Sequence, residues 1–198
     1  KEKYFSKIGD DKENFLNYLN TINKQIKDIE NLLNEFSNFA RMPKPLFKKI
    51  DLNPMLLRSL SLNELAEPEI SFVFLKANPG VRLNCDEEQF NRVFVNLIKN
   101  AIESIKEKKE KIVDFKGKIT IEITSDSAYI YVNITDNGVG FDHVDKDKML
   151  TPYFTTKKKG TGLGLAVVSK IISDHNSEIL FSSTKNGAKV EIKIPKIS

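Results

Sequence analysis

A chain of 198 residues and 22.6 kDa, 40% hydrophobic and 29% charged, is large enough to bury a real core and too apolar for wholesale disorder. No run approaches ~18 apolar residues, so nothing is expected to span a membrane; the single cysteine, Cys85, excludes an internal disulfide and a cysteine-built zinc site and fits a reducing cytosol. The formal charge of +4 is a small excess of 31 basic over 27 acidic residues, and the densest basic stretch, residues 106–111, is interrupted by Glu107 and Glu110, which reads as a solvated helix end and not as a nucleic-acid surface.

Phe15, Leu19, Ile22, Ile26, Ile29, Leu33, Phe36 and Ala40 recur in alternating steps of four and three. This heptad seam predicts a coiled-coil-like helix over residues 11–41, roughly 45 Å long at ~1.5 Å per residue. Its apolar stripe must either pack on its own domain or pair with another helix, and the regularity favours pairing. Residues 1–8 read as the end of a preceding helix, with Gly9-Asp10-Asp11 as a turn in which an Asp caps the next helix. Met42-Pro43-Lys44-Pro45 stops the helix, because proline lacks an amide donor and pushes its predecessor out of the helical region. The predicted division is therefore 1–42 and 43–198.

Beyond it, Asn53 is expected to cap a helix to about residue 66, with Pro54 in its first turn. Residues 70–75 and 81–85 read as strands separated by Asn78-Pro79-Gly80. Asp86 caps a helix to about residue 108 with Phe90, Val93, Phe94, Leu97, Ile98, Ala101 and Ile105 on one face. Alternating strands at 118–125 and 128–135, a helix at 163–175 and strands at 178–183 and 188–194 complete the chain. The expectation is an α+β, two-layer sandwich: one mixed sheet covered by helices on one face.

Four segments in the second part carry chemistry. Asn96 and Asn100, in Asn96-Leu97-Ile98-Lys99-Asn100, stack on one helical face. In an Asn-rich chain that placement is open to chance, yet a carboxamide oxygen suits Mg²⁺. Asp136-Asn137-Gly138-Val139-Gly140 follows a strand and is either a plain turn or a place where Asp136 accepts from an exocyclic amine while glycines admit a flat ring. Pro152-Tyr153-Phe154-Thr155-Thr156-Lys157 runs on through Lys158 and Lys159 into Gly160-Thr161-Gly162-Leu163-Gly164-Leu165. The alternating glycines at a helix start expose amides to a phosphate, but the pattern is neither a P-loop nor a dinucleotide fingerprint.

In this order the segments resemble the N, G1, F and G2 boxes of the histidine-kinase catalytic domain, within the ATPase superfamily shared with gyrase, Hsp90 and MutL. The match covers about residues 50–195, with Asn186-Gly187-Ala188 as a degenerate last glycine box. Residues 35–45 resemble the end of the second dimerisation helix of NtrY-type nitrogen-regulation sensor kinases. The resemblance implies a Bergerat-type ATP-binding fold in which Asp136 reads the adenine amine and Gly138 and Gly140 admit the ring. It implies that Asn100 holds Mg²⁺ with Asn96 assisting, that Gly160, Gly162 and Gly164 present amides to the phosphates, and that Leu163 and Leu165 anchor that loop. Residues 146–161 match the ATP lid, where Phe154 fastens it, Lys157 reaches a phosphate, and Thr155, Thr156 and Thr161 line the nucleotide. A solvated cationic loop is the plainer reading of lysines 157–159. Many relatives carry Lys-Tyr where this chain has Glu103-Ser104, so either Lys99 or the lid supplies the missing cation or the phosphate contact is weaker. His-Gly-Gly is replaced by His175-Asn176-Ser177.

The implied reaction is transfer of the ATP γ-phosphoryl group to a histidine nitrogen and then to a response-regulator aspartate, chiefly by positioning and charge stabilisation. Neither His143 nor His175 lies on the heptad helix, so both are assigned structural roles and the acceptor is expected outside these residues. The implied whole is the cytoplasmic portion of a membrane-anchored sensor, homodimeric through the helix at 11–41 and serving a receiver-domain partner, with no nucleic acid. Lys1 and the lack of a signal-peptide pattern fit a piece of such a protein. Two alternatives remain: an ATP hydrolase of the gyrase or Hsp90 type, which would place a Glu general base where Asn96 stands, and a dimerisation module that has lost nucleotide binding.

Overall fold

The heptad seam forms a single helix, α1 (Lys12–Ala40), in the computed structural model, which describes residues 11–77, 80–141, 148–155, 157 and 160–196. Along α1 the seam residues Ile22, Ile26, Ile29 and Leu33 are each half exposed or more. Asp11 precedes the helix without capping it; its Oδ1 accepts instead from the Asn14 side chain at 3.1 Å. The helix end expected at residues 1–8 lies outside the described residues. Chain contacts divide into two units, Lys1–Met42 and Pro43–Ser198.

The second unit opens on a strand that the sequence did not announce. β1 (Lys48–Asp51) pairs antiparallel with β3 (Arg82–Cys85) in a small two-stranded sheet. Four residues are too few for alternation to register. The cap of α2 (Leu52–Ala66) is Asp51, not Asn53: extended Asp51 accepts the Asn53 amide at 2.9 Å, and Pro54 falls in the first turn, where its missing donor costs nothing. Asn53 turns its amide group to the Ala77 carbonyl at 3.1 Å.

The main sheet has the order β2 (Ile70–Leu75), β4 (Gly117–Ser125), β5 (Tyr129–Asp136), β7 (Gly187–Pro195), β6 (Glu178–Thr184). β2 and β4 run parallel and the other pairs antiparallel, so the sheet is mixed as expected. β2 and β3 are not hairpin partners, however, because they belong to different sheets. On one face Ile119, Ile121, Ile123, Ile130, Val132, Ile134, Ile192 and Ile194 are buried, alternating with partly exposed Thr120, Glu122, Tyr131 and Glu191. That period of two assigns one face to the core.

Against this face lie α2, α3 (Glu87–Lys109) and α4 (Gly164–Asp174). Asp86 caps α3 by accepting the Gln89 amide at 3.0 Å, and Phe90 and Phe94 are fully buried, meeting edge to face at 6.0 Å. His175 is buried after α4, where Nδ1 donates to the Ile171 carbonyl at 2.8 Å and Nε2 accepts the Asp86 amide at 3.1 Å. It is a strut joining the end of α4 to the start of α3. His143 lies outside the described residues. Burial pushes the Cys85 thiol up to about 12, so it stays protonated and inert.

The basic stretch at the end of α3 is better engaged than a solvated helix end. Lys106 pairs with Glu67 at 2.5 Å, Lys109 with Glu69, and Lys111 with Glu107 at 2.7 Å. Such exposed pairs contribute little stability individually, but the first two draw the end of α3 toward the α2–β2 connection.

Candidate functional site

A ladder of polar side chains climbs α3 beside its apolar stripe: Asn96, Asn100, Ser104 and Lys108, each four residues after the last, with Glu103 alongside. Helical geometry sets them on one face. That face meets the end of β5, the start of α4 and the segment between them.

At its N-terminal end Asn96 donates to the Arg92 carbonyl at 2.9 Å. Its Oδ1 lies so near the start of α4 that a Cβ on Gly164 would sit 3.2 Å from it. One turn on, Asn100 Oδ1 accepts from Lys157 Nζ at 3.2 Å, and the same ammonium is ion-paired with Glu103. Lys157 thus reaches back to α3 from the far segment, while Lys99 is exposed on the helix. The segment has its own ties: the Lys157 amide donates to Thr155 Oγ1 at 3.1 Å, the Gly160 amide to the Lys157 carbonyl at 3.2 Å, and the Phe154 amide to the Thr151 carbonyl at 3.2 Å.

The glycine turn packs tightly against the same segment. The Tyr153 amide donates to the Gly162 carbonyl at 3.0 Å, and Gly162, at φ +69°, would carry any Cβ to 2.5 Å from the Tyr153 carbonyl carbon. Only glycine combines that dihedral with that approach. Thr161 Oγ1 accepts the Leu163 amide at 3.4 Å. Leu163 is fully buried, whereas Leu165 and Phe154 are half-buried. Gly160 and Gly164 flank this turn, Thr155 is exposed, and Thr156, Lys158, Lys159 and residues 142–147 lie outside the described residues.

At the other end of the ladder stands Asp136, the last residue of β5 and buried. Its Oδ1 accepts the Gly138 amide at 2.8 Å, and Ser104 Oγ stands at 3.5 Å. Burial pushes its carboxyl up to about 6; the Gly138 amide, Ser104, the Ala188 amide and the charge of Lys108 pull the other way. Ser104 Oγ also accepts the Val139 amide at 3.0 Å, so the residue standing in place of the family's tyrosine fastens the loop to α3. The approach is close: a Cβ on Gly138 would come within 2.6 Å of the Ser104 carbonyl carbon and 2.8 Å of the Ile105 nitrogen. Gly140, at φ +76°, abuts Gly187 at the start of β7. Asn137 pins the loop to β4, accepting the Lys118 amide at 2.7 Å and donating to the Lys116 carbonyl at 2.9 Å.

Lys108 was missed in the sequence. Its ammonium donates to the carbonyls of Asn137 at 2.8 Å, Gly138 at 2.9 Å and Asn186 at 2.6 Å. The available signal was its spacing of four from Ser104, hidden inside a stretch read by charge alone. Taken together, one flank of α3 carries an acceptor carboxylate beside a glycine loop at one end. At the other it carries carboxamides and a cation beside the glycine turn that starts α4. A heteroaromatic amine suits the first and phosphates suit the second.

Residues 85–198 match the family model described as histidine kinase-, DNA gyrase B-, and HSP90-like ATPase. The chain is 32% identical over 194 residues to nitrogen regulation protein NtrY of Azorhizobium caulinodans, covering 98% of this chain and 25% of that protein. It is 34% identical over 192 residues to a putative sensor histidine kinase NtrY-like of Rickettsia felis, covering 96% and 31%. The chain therefore spans a quarter to a third of the length of these curated relatives. Among solved structures, the catalytic domain of histidine kinase ThkA superposes with a TM-score of 0.67 at 30% identity, covering 76% of this chain and 96% of that one. ThkA in complex with the response regulator TrrA gives a TM-score of 0.75 at 26% identity over 98% of this chain and 55% of that one. The fold is that of histidine-kinase catalytic domains, and with its model matching more than half of the sequence the chain belongs to the family of histidine kinase-, DNA gyrase B- and HSP90-like ATPases.

Proposed function

We propose that the chain is the ATP-binding catalytic part of a two-component sensor histidine kinase of the NtrY type, passing the γ-phosphoryl group to a histidine outside these residues and thence to a response-regulator aspartate. The observation that carries this reading is the Lys157 ammonium held at the Asn100 carboxamide oxygen, one turn from Asn96 and the start of α4. In this reading Asp136 accepts from the adenine amine, Gly138 and Gly140 admit the ring, and the amides around Gly160, Gly162 and Gly164 take the phosphates. Thr155, Thr156, Thr161 and Phe154 line the nucleotide, and Leu163 with Leu165 hold the turn in place. Lys157 answers the departure at Glu103: it brings from the neighbouring segment the cation that the helix lacks, and exchanges Glu103 for a phosphate when nucleotide enters.

The donor set at Asn100 fits Mg²⁺. A neutral carboxamide oxygen already attracting a cation supplies one hard ligand, and Mg²⁺ takes its remaining positions from water and phosphate oxygens. When bound, the metal would neutralise charge developing on the phosphates. Asn100→Ala removes that ligand, and the expected result is loss of phosphoryl transfer by at least about a hundredfold with an unchanged melting temperature, since deleting a charge-oriented contact of this kind is worth about 3 kcal/mol.

The deciding experiment mixes the chain and γ-labelled ATP with a separate protein carrying the acceptor-histidine helix of an NtrY-type kinase. Label on that helix supports the reading; rapid steady hydrolysis without transfer overturns it in favour of an ATP hydrolase. Asn96, where hydrolases of the superfamily carry a glutamate, argues against that outcome. No ADP binding at millimolar nucleotide would instead point to a signalling module without catalysis.

For α1 the proposal is pairing with a second copy, residues 1–42 being part of a dimerisation hairpin and 43–198 the catalytic unit. Ile29 is 58% exposed at the centre of the seam. Ile29→Asp would set a charge in that interface, and light scattering is expected to show the mass falling from dimer to monomer; an unchanged mass refutes pairing on this seam. No helix among the described residues is long and apolar enough to cross a membrane. A membrane anchor is proposed for the parent; separately, a receiver domain is proposed as partner by likeness to ThkA, which was solved in complex with a response regulator.

A further inference from the structure

Each proton of the Lys108 ammonium has a carbonyl acceptor, on Asn137, Gly138 and Asn186. The ammonium also lies 5.1 Å from the centre of the Phe115 ring. One side chain of α3 therefore ties together the helix, the loop after β5 and the β6–β7 turn. We propose that Lys108 is a positioning residue for nucleotide recognition, holding the loop that presents Asp136 and placing a positive charge near its carboxylate. The proposal rests on the reading of Asp136 as the adenine-binding residue.

The geometric half follows from the loop's other ties. Asn137 fastens its start to β4 and Ser104 fastens Val139 to α3, but the carbonyls of Asn137 and Gly138 point to Lys108. With an apolar side chain there, these carbonyls and that of Asn186 would face the adjoining cleft of about 310 Å³, which Lys108, Gly138 and Asn186 help to line. Water can enter that cleft, so the fold survives the change while the loop loses its rigid support.

The electrostatic half depends on what surrounds Asp136. Its partners in the sheet are Ile119 on β4 and Ala188 on β7, both uncharged; from α3 it meets Ser104 and lies within reach of the charge of Lys108. The positive charge of Lys108 acts on it and favours the ionised carboxylate. Burial has raised the carboxyl to about 6, and removing a nearby cation raises it further. An ionised carboxylate is the stronger acceptor for an amine, so binding weakens as pH falls through this value. Without Lys108 the weakening begins at higher pH.

The test is calorimetric titration of the full chain with ADP and Mg²⁺ between about pH 5.5 and 8.5, for wild type, Lys108→Met, Lys108→Arg and Asp136→Asn; the nucleotide's own protonation cancels between variants. Lys108→Met is expected to weaken ADP about tenfold at the alkaline end, the loss of a charge-assisted support, and to move the pH midpoint of binding upward. Lys108→Arg keeps the charge and the wild-type midpoint. A loss uniform at every pH with an unmoved midpoint, or wild-type behaviour of Lys108→Met while Asp136→Asn loses binding, overturns the proposal and leaves the adenine reading intact. Wild-type binding by Asp136→Asn overturns the adenine reading itself, and the role of Lys108 with it. Should Lys108→Met not fold, Lys108→Arg decides: an unmoved midpoint supports the proposal and a shifted one overturns it.

Discussion

Asp136→Asn is expected to weaken ADP binding by at least about a hundredfold at pH 8, because it replaces a charge-assisted acceptor worth about 3 kcal/mol with a group that presents a donor to an amine. The substitution keeps volume, and its carbonyl oxygen still accepts the Gly138 amide that Oδ1 accepts now. Stability is expected to move the other way. The folded carboxyl lies at about 6, above its ordinary value of 3.8. A carboxylate raised on folding lends most stability when protonated in both states, and that contribution is lost as pH rises through the folded value. At pH 8 the wild type therefore carries a buried charge at a cost that the amide does not carry. The melting temperature of Asp136→Asn at pH 8 should equal or exceed that of wild type. Thermal melts beside calorimetric titrations check both statements, and a variant that unfolds would mark Asp136 as a core residue instead of a site residue.

Gly138→Ala is the second large effect, and it acts through backbone contact. A methyl group there meets the Ser104 carbonyl carbon at 2.6 Å and the Ile105 nitrogen at 2.8 Å, inside α3 where the backbone cannot yield. The loop must lift from the helix, taking Asp136 and the Val139–Ser104 bond with it. Overpacking of this kind costs about 3 kcal/mol. Urea denaturation should show that loss, together with failure to bind ADP. Ser104→Ala should not rescue it, because the obstruction is main chain as well as hydroxyl. Full rescue by Ser104→Ala, or wild-type stability of Gly138→Ala alone, would show that the loop stands off the helix.

Where signals are local, sequence and structure agree closely. Asp86 before an amphipathic run predicted α3 and its cap; alternation predicted the β4 and β5 strands; and the glycines at 160–164 predicted a helix start. Each of these element positions rests on dihedral preference or periodicity within a few residues. The misses share another cause. β1 is four residues long and exists because β3 offers it an edge. Asp51 outcompetes Asn53 as a cap through the extended backbone that the strand gives it. The parallel pairing of β2 with β4 joins segments separated by the whole of α3, which no local pattern encodes.

At the site the same division holds. The residues proposed for the site, Asn96, Asn100, Asp136 and the glycines, can be named from the sequence, because the proposed recognition of an amine or a phosphate demands particular atoms whatever the packing. The mild excess of positive charge was legible only as a total. Folding gave its members separate tasks: Lys157 on Glu103 and Asn100, Lys106 and Lys109 on the acids of the α2–β2 connection, Lys108 on the carbonyls beside Asp136. Composition records how many cations a chain has. A partner 29 or 54 residues away can be assigned only when the sheet and its helices bring the groups within hydrogen-bond range, since electrostatics depends on distance in space and not along the chain.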